Sequence, residues 1–287
     1  MELKELVTYW STIGLGFLAF FTNARTFFNV AKTRTTGGNQ YSVLLLTVVF
    51  HVIFSVSSCS YCAYVICIGD AKTWSDTYIF WSGTLTFSSA LSVICGNIAV
   101  VIDRILAIQY PIMYGVKYHK IWLYTSTVLL LVAMSIVVTS YYLGITPPSM
   151  DIPSISRVVV FHVIIGVYIT KSVLLVLNIP FTLVFMWKIR TLKKITKNTP
   201  ISSSLKVANQ IVCYQMVAEI FIIVIPTLTS AVLIYGFGII IPKILGAYPL
   251  MLFALYTAIY AVLLTVKMKK SVGDKKTVMS LTAVRAV

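Results

Sequence analysis

The stretch Cys95–Lys120, CGNIAVVIDRILAIQYPIMYGVKYHK, decides how the chain is read. It leaves a long apolar run and then sets Asp103 beside Arg104. Bilayers and protein cores both penalise adjacent charges. The pair therefore marks either the edge of a membrane span or a site that uses both charges. The surrounding chain argues for a membrane. Its 287 residues are 59% hydrophobic and 11% charged, and its mean hydropathy is +0.92. Soluble domains carry about 25% charged residues. A chain this apolar cannot cover its surface with polar groups, so its main solvent is lipid.

A helix needs about 20 apolar residues to cross the hydrocarbon core. Working outward from Arg104, seven such runs are predicted, at 7–30, 41–68, 78–102, 121–143, 168–189, 207–235 and 244–266. The breaks carry turn chemistry or charge, as in AKTRTTGGNQ, GDAKTWSD, QYPIMYGVKYHK and GITPPSMDIPSISR. The fifth run is preceded by VVVFHVII, too much apolar chain for one straight crossing, so its first part is expected to protrude. MELKEL carries both signs and opens a run too long for a signal h-region, so no cleavable leader is expected. The predicted fold is an all-α polytopic membrane protein, a seven-helix bundle over residues 1–270 with a short basic cytoplasmic tail at 271–287.

The formal net charge is +15. The basic residues fall in short gaps between apolar runs, which is a membrane pattern and not a nucleic-acid stripe. With the N-terminus outside, 18 of the 23 Lys and Arg residues fall on the cytoplasmic side. Basic residues favour that side, so the expectation is N-terminus out and C-terminus in. Asp103 and Arg104 then close the third span at the cytoplasmic face.

Seven spans with DRILAIQYPIMY closing the third resemble the rhodopsin-like G-protein-coupled receptors. The match is carried by Asp103, Arg104, Leu106, Ala107, Ile108, Pro111 and Tyr114. Ile105 departs from the usual Tyr, no acidic residue stands in the second span, and the seventh lacks an Asn-Pro-x-x-Tyr motif. No Cys lies between 144 and 168, so the usual disulfide onto the third helix cannot form. The short chain, these departures and the basic inner loops resemble the nematode serpentine chemoreceptors, class BC. The resemblance implies a heterotrimeric G protein as partner, a small environmental or pheromone-like ligand, and a multi-pass plasma-membrane location, with sensory cilia as its place. It implies no cofactor and no metal.

The resemblance assigns G-protein coupling and switching to Asp103, Arg104, Pro111, Tyr114, Lys193, Lys194 and Lys206. Arg104 could simply snorkel to the interface, or Asp103 could restrain it until a partner binds. Related receptors often hold this Arg with a Glu on helix six. The counterpart here is Lys206, which would repel it. His51, Asn97 and Glu219 are the intramembrane polar residues. A structural hydrogen bond is expected between His51 and Asn97, which stand at similar depth. Glu219 is either neutral and bonded to a hydroxyl or carbonyl, or a switch. The ligand pocket is expected in the outer half, from Phe80, Trp81, Thr84, Lys171, Thr227, Ser230 and Tyr248. Each has a bland alternative as a belt or bridging residue, and Lys171 can either snorkel or pair with an anionic ligand.

An enzyme is disfavoured: the chain has three His, no HExxH, no paired intramembrane aspartates and no phosphate loop. A ligand-gated channel or transporter is the other class. It would line a path across the whole depth with polar groups, and the inner halves of the spans are uniformly apolar.

Overall fold

The computed structural model describes residues 3–33, 41–68, 75–148, 155–195, 203–237 and 247–284. Seven long helices result. They are α1 (Leu3–Thr33), α2 (Ser42–Cys67), α3 (Asp76–Gln109), α4 (Pro111–Leu143), α5 (Phe161–Ile195), α6 and α7 (Tyr248–Val284). Helix α6 runs from Ser203 to Glu219, passes through a π turn at Ile220–Val224, and continues over Ile225–Phe237. Six of the seven are long and apolar enough to cross a membrane. Only helices satisfy their own backbone groups in lipid, and no strand forms among the described residues. Helix α1 is the more polar one; it buries Thr8, Thr12, Asn23 and Thr26 against its neighbours α2 and α7.

The helices outrun the apolar stretches. Helix α3 has 34 residues, about 51 Å at 1.5 Å per residue, well beyond a hydrocarbon core about 30 Å thick. The stretch QYPIMYGVKYHK, expected as a break, is mostly helical. Only Tyr110 departs from helical geometry. Pro111 then starts α4 at its first position, where its missing N–H is no loss. A π turn at Tyr114–Tyr118 follows. The backbone of α7 continues past the expected end at 266, so the 271–284 part of the basic tail is helical.

Helix α3 is the central strut. A Cβ on Gly96 would lie 2.9 Å from Thr47 Cγ2, so α2 and α3 touch through a small residue. Trp122 donates from Nε1 to the Ala99 carbonyl at 3.0 Å, fastening α4 to α3. At the end away from Arg104, the α4–α5 connection folds back as a narrow hairpin. Thr146 N–H donates to Val158 O at 3.0 Å and Val160 N–H to Gly144 O at 2.9 Å. Ile155 packs closely against Gly83 of α3, where a Cβ would lie 3.0 Å from Ile155 Cδ1. Arg157 Nε donates to Asp76 Oδ1 at 2.8 Å, tying this connection to the start of α3. All five cysteines are free thiols, so an ion pair and an apolar plug stand where a disulfide was ruled out.

Candidate functional site

Three polar constellations lie along the bundle axis. The first is at the Arg104 end. Arg104 turns inward and is 2% exposed, as is Asp103. Its Nε donates to Asp103 Oδ2 at 3.0 Å, and its Nη2 donates to the same oxygen. Tyr114, carried in by the π turn, closes a triangle. Its hydroxyl donates to Asp103 Oδ1 at 2.7 Å and accepts from Arg104 Nη2 at 2.9 Å. The guanidinium carbon also lies 5.7 Å from the Tyr114 ring centroid. A snorkelling side chain would point to the interface; this one is buried and bonded. Pro111 sits between the two halves of the triangle and sets the turn that swings Tyr114 back onto α3. Lys193 and Lys194 fall in the last turns of α5 and Lys206 in the first turn of α6. The side chains of these three lie outside the described residues.

The second constellation lies at mid-depth and joins four helices. Asn97 of α3 donates from Nδ2 to the Tyr256 hydroxyl of α7 at 2.7 Å. Gln215 of α6 donates from Nε2 to Asn97 Oδ1 at 2.5 Å. Glu219, one turn further along α6 and 1% exposed, accepts from Asn178 Nδ2 of α5 at 2.9 Å. The expected bond between His51 and Asn97 does not form. His51 Nδ1 instead meets Thr257 Oγ1 at 3.3 Å, and its ring stacks on Tyr260 at 4.4 Å. Asn97 and His51 each reach α7, at the consecutive residues Tyr256 and Thr257. Glu219 likewise meets an amide and not the hydroxyl or carbonyl expected.

Sequence reasoning named Asn97 and Glu219 but missed Asn178, Gln215 and Tyr256. The legible signal was Gln215 and Glu219 at i and i+4, which share a helix face. An amide and a carboxyl on one face of an apolar helix need a common partner.

The third constellation is a cleft between α5, α6 and α7 in the half of the bundle away from Arg104. It is narrow and partly open to the surface. Lys171, Thr227 and Tyr248, all expected at a pocket, line it together with Tyr168, Pro226 and Phe253. Lys171 faces inward, with Nζ 5.0 Å from the Phe253 ring centroid, and does not snorkel. The remaining pocket candidates stand elsewhere. Phe80 is core, 5% exposed, and packs edge-on to Trp81. Trp81 itself is 51% exposed on the bundle surface. Thr84 and Ser230 are buried off the cleft. The period of α3 explains the error: neighbours 80 and 81 point about 100° apart, so both cannot face one pocket.

The cleft and the second constellation, a four-helix polar hub, both draw residues from α6. Pro226 lines the cleft, lacks an N–H, and crowds the carbonyl four residues back. The π turn at Ile220–Val224 absorbs that break and begins at the residue after Glu219. Helices bend where a proline and a π turn coincide.

Residues 1–157, more than half of the chain, match the family described as serpentine type 7TM GPCR chemoreceptor Srbc. This stretch holds α1 to α4 with Asp103, Arg104 and Tyr114, whereas the hub's α5 to α7 residues follow it. No protein of curated function matches the chain. The family match, the six spanning helices and the additional helix α1 agree with one another, and the chain belongs to the serpentine seven-transmembrane chemoreceptors of the Srbc family.

Proposed function

We propose that this protein is a chemosensory receptor that binds a small molecule between α5, α6 and α7 and signals through a heterotrimeric G protein at the Arg104 end. The observation that carries this reading is the closed triangle of Asp103, Arg104 and Tyr114 on the same helix as Asn97. Arg stays charged at any physiological pH and offers five donors in a fixed fork. Asp103 and Tyr114 occupy the Nε and Nη2 donors. Released, they can meet the backbone carbonyls of a partner. Asn97 lies one heptad before Arg104, so a shift of α6 or α7 felt at Asn97 acts on the helix that carries the triangle.

A ligand with an anionic group suits Lys171, and its apolar part suits Phe253, Pro226 and Tyr168. Binding there bears on α6 at its proline break. The ligand shifts the resting equilibrium only by its differential affinity for the two states. In nanodiscs with a purified G protein, a saturating ligand is expected to raise nucleotide exchange by about 5- to 150-fold, the usual range of coupling. A ligand-gated current without exchange would replace this reading with the channel one.

The basic bias supports a cytoplasmic Arg104 end. An epitope at the N-terminus of intact cells is then expected to bind antibody, and one at the C-terminus only after permeabilisation. Surface labelling of the C-terminal tag would put Arg104 on the wrong side for a G protein.

A further inference from the structure

Lys171 is a cation without a counter-charge. It lines the cleft between α5, α6 and α7, partly buried, with Nζ 5.0 Å from the Phe253 ring centroid. It forms no ion pair among the described residues. The acidic side chains described are Glu5, Asp76, Asp103 and Glu219, and none lines the cleft. Asp76 holds Arg157 and Asp103 holds Arg104. Glu219 meets Asn178, two turns along α5 from Lys171, and Glu5 stands in the first turn of α1. The Phe253 face offsets part of the cost of the charge. A charge drawn away from water and left unpaired remains expensive.

The rest of the lining suits an anion. Thr227 of α6 and Tyr248 of α7 bring hydroxyls to it, and neither hydroxyl is bonded among the described residues. Each can turn its proton toward an anion. Tyr168 lines the cleft about one turn before Lys171. The remaining lining is apolar, and the room between these side chains is about that of one water molecule. An organic ligand must widen the cleft, whereas a monatomic anion fits with little change.

We propose that the cleft without its ligand holds one chloride ion, with Lys171 as counter-charge and Thr227 and Tyr248 as hydroxyl donors. One singly charged anion balances one ammonium. The ion joins α5 to α6 and α7 at a place where no described carboxylate does so. An anionic ligand then exchanges one anion for another at Lys171, and chloride competes with it. That exchange rests on the receptor reading; the ion site itself does not.

The test uses the purified full chain in nanodiscs at fixed pH and fixed sodium, with gluconate replaced stepwise by chloride. Gluconate is too large for the cleft. Chloride is expected to raise the melting temperature saturably, by about 4–8 °C at a hundred-fold excess over its Kd. Lys171→Met keeps the length of the side chain and should abolish the rise. Thr227→Val keeps the cation and removes one hydroxyl donor, so the chloride midpoint should move upward by about tenfold. It serves if the Met variant does not fold. Equal melting temperatures in chloride and gluconate would mean a neutral amine with no ion, and would overturn the site. A chloride effect that survives in Lys171→Met would belong to the basic surface and overturn it too, as would an unmoved midpoint in Thr227→Val. No ligand or G protein enters the measurement, so its failure and the failure of the receptor reading are separate results.

Discussion

Arg104→Ala is expected to lose agonist-driven nucleotide exchange, a fall of at least about 100-fold, near the upper end of typical coupling. The substitution removes every donor that the triangle holds in reserve. It also has a cost that a boundary residue would not. Both charges are buried, and removing one partner of a buried pair typically costs about 3–5 kcal/mol because the other is left behind. Tyr114 still donates to the Asp103 carboxylate, which offsets part of that loss. Surface expression should therefore drop, and exchange must be compared at matched surface levels. The double variant Asp103→Asn with Arg104→Ala is expected to recover expression without recovering exchange. Normal signalling by Arg104→Ala at matched levels would reduce the triangle to an ion pair that holds α3 and α4 together.

Tyr114→Phe and Asp103→Asn are expected to act in the opposite sense and raise basal exchange. The Phe variant keeps the ring that faces the guanidinium and removes two hydrogen bonds, one to each charged partner. Hydrogen bonds to charged groups contribute about 1.5–3 kcal/mol each, and every 1.4 kcal/mol is about tenfold. Asp103 and Arg104 still hold one another, so a net loss equal to one such bond is expected, a shift of about 10- to 150-fold toward the released state. Asp103→Asn keeps the shape and removes the charge, so it should do at least as much. Both variants test the proposed restraint of Arg104 by Asp103 and Tyr114. Basal exchange that stays at wild-type levels in both variants would show that the restraint lies elsewhere.

The bundle was legible because the bilayer imposes a simple code. Twenty apolar residues give a helix and its place in the order, but not its last turns, since α3, α4 and α7 run past their apolar stretches. Asp103-Arg104 was legible for the same reason, since charge at that depth needs an explanation. Tyr114 could be named only from the motif, because nothing in YGVKY announces a π turn that rotates one residue inward. The hub was half legible. Glu219 and Asn97 stand out as polar residues in apolar runs. Their partners depend on the rotation of α5 and α7, and an error of two residues, about 200° around an α-helix, would point any of them at lipid. Trp81 shows the same limit from the other side. An aromatic near a helix end suits a pocket or a belt equally, and only its azimuth on α3 decides.

The Arg157–Asp76 contact changes how the far mouth of the bundle behaves. A covalent staple is permanent once made and depends on an oxidising compartment to make it. Here the fastening is a partly exposed ion pair, of a kind that contributes at most about 1 kcal/mol, backed by Ile155 wedged against Gly83. The join between the start of α3 and the segment before α5 is thus one that salt weakens and reducing agents leave alone.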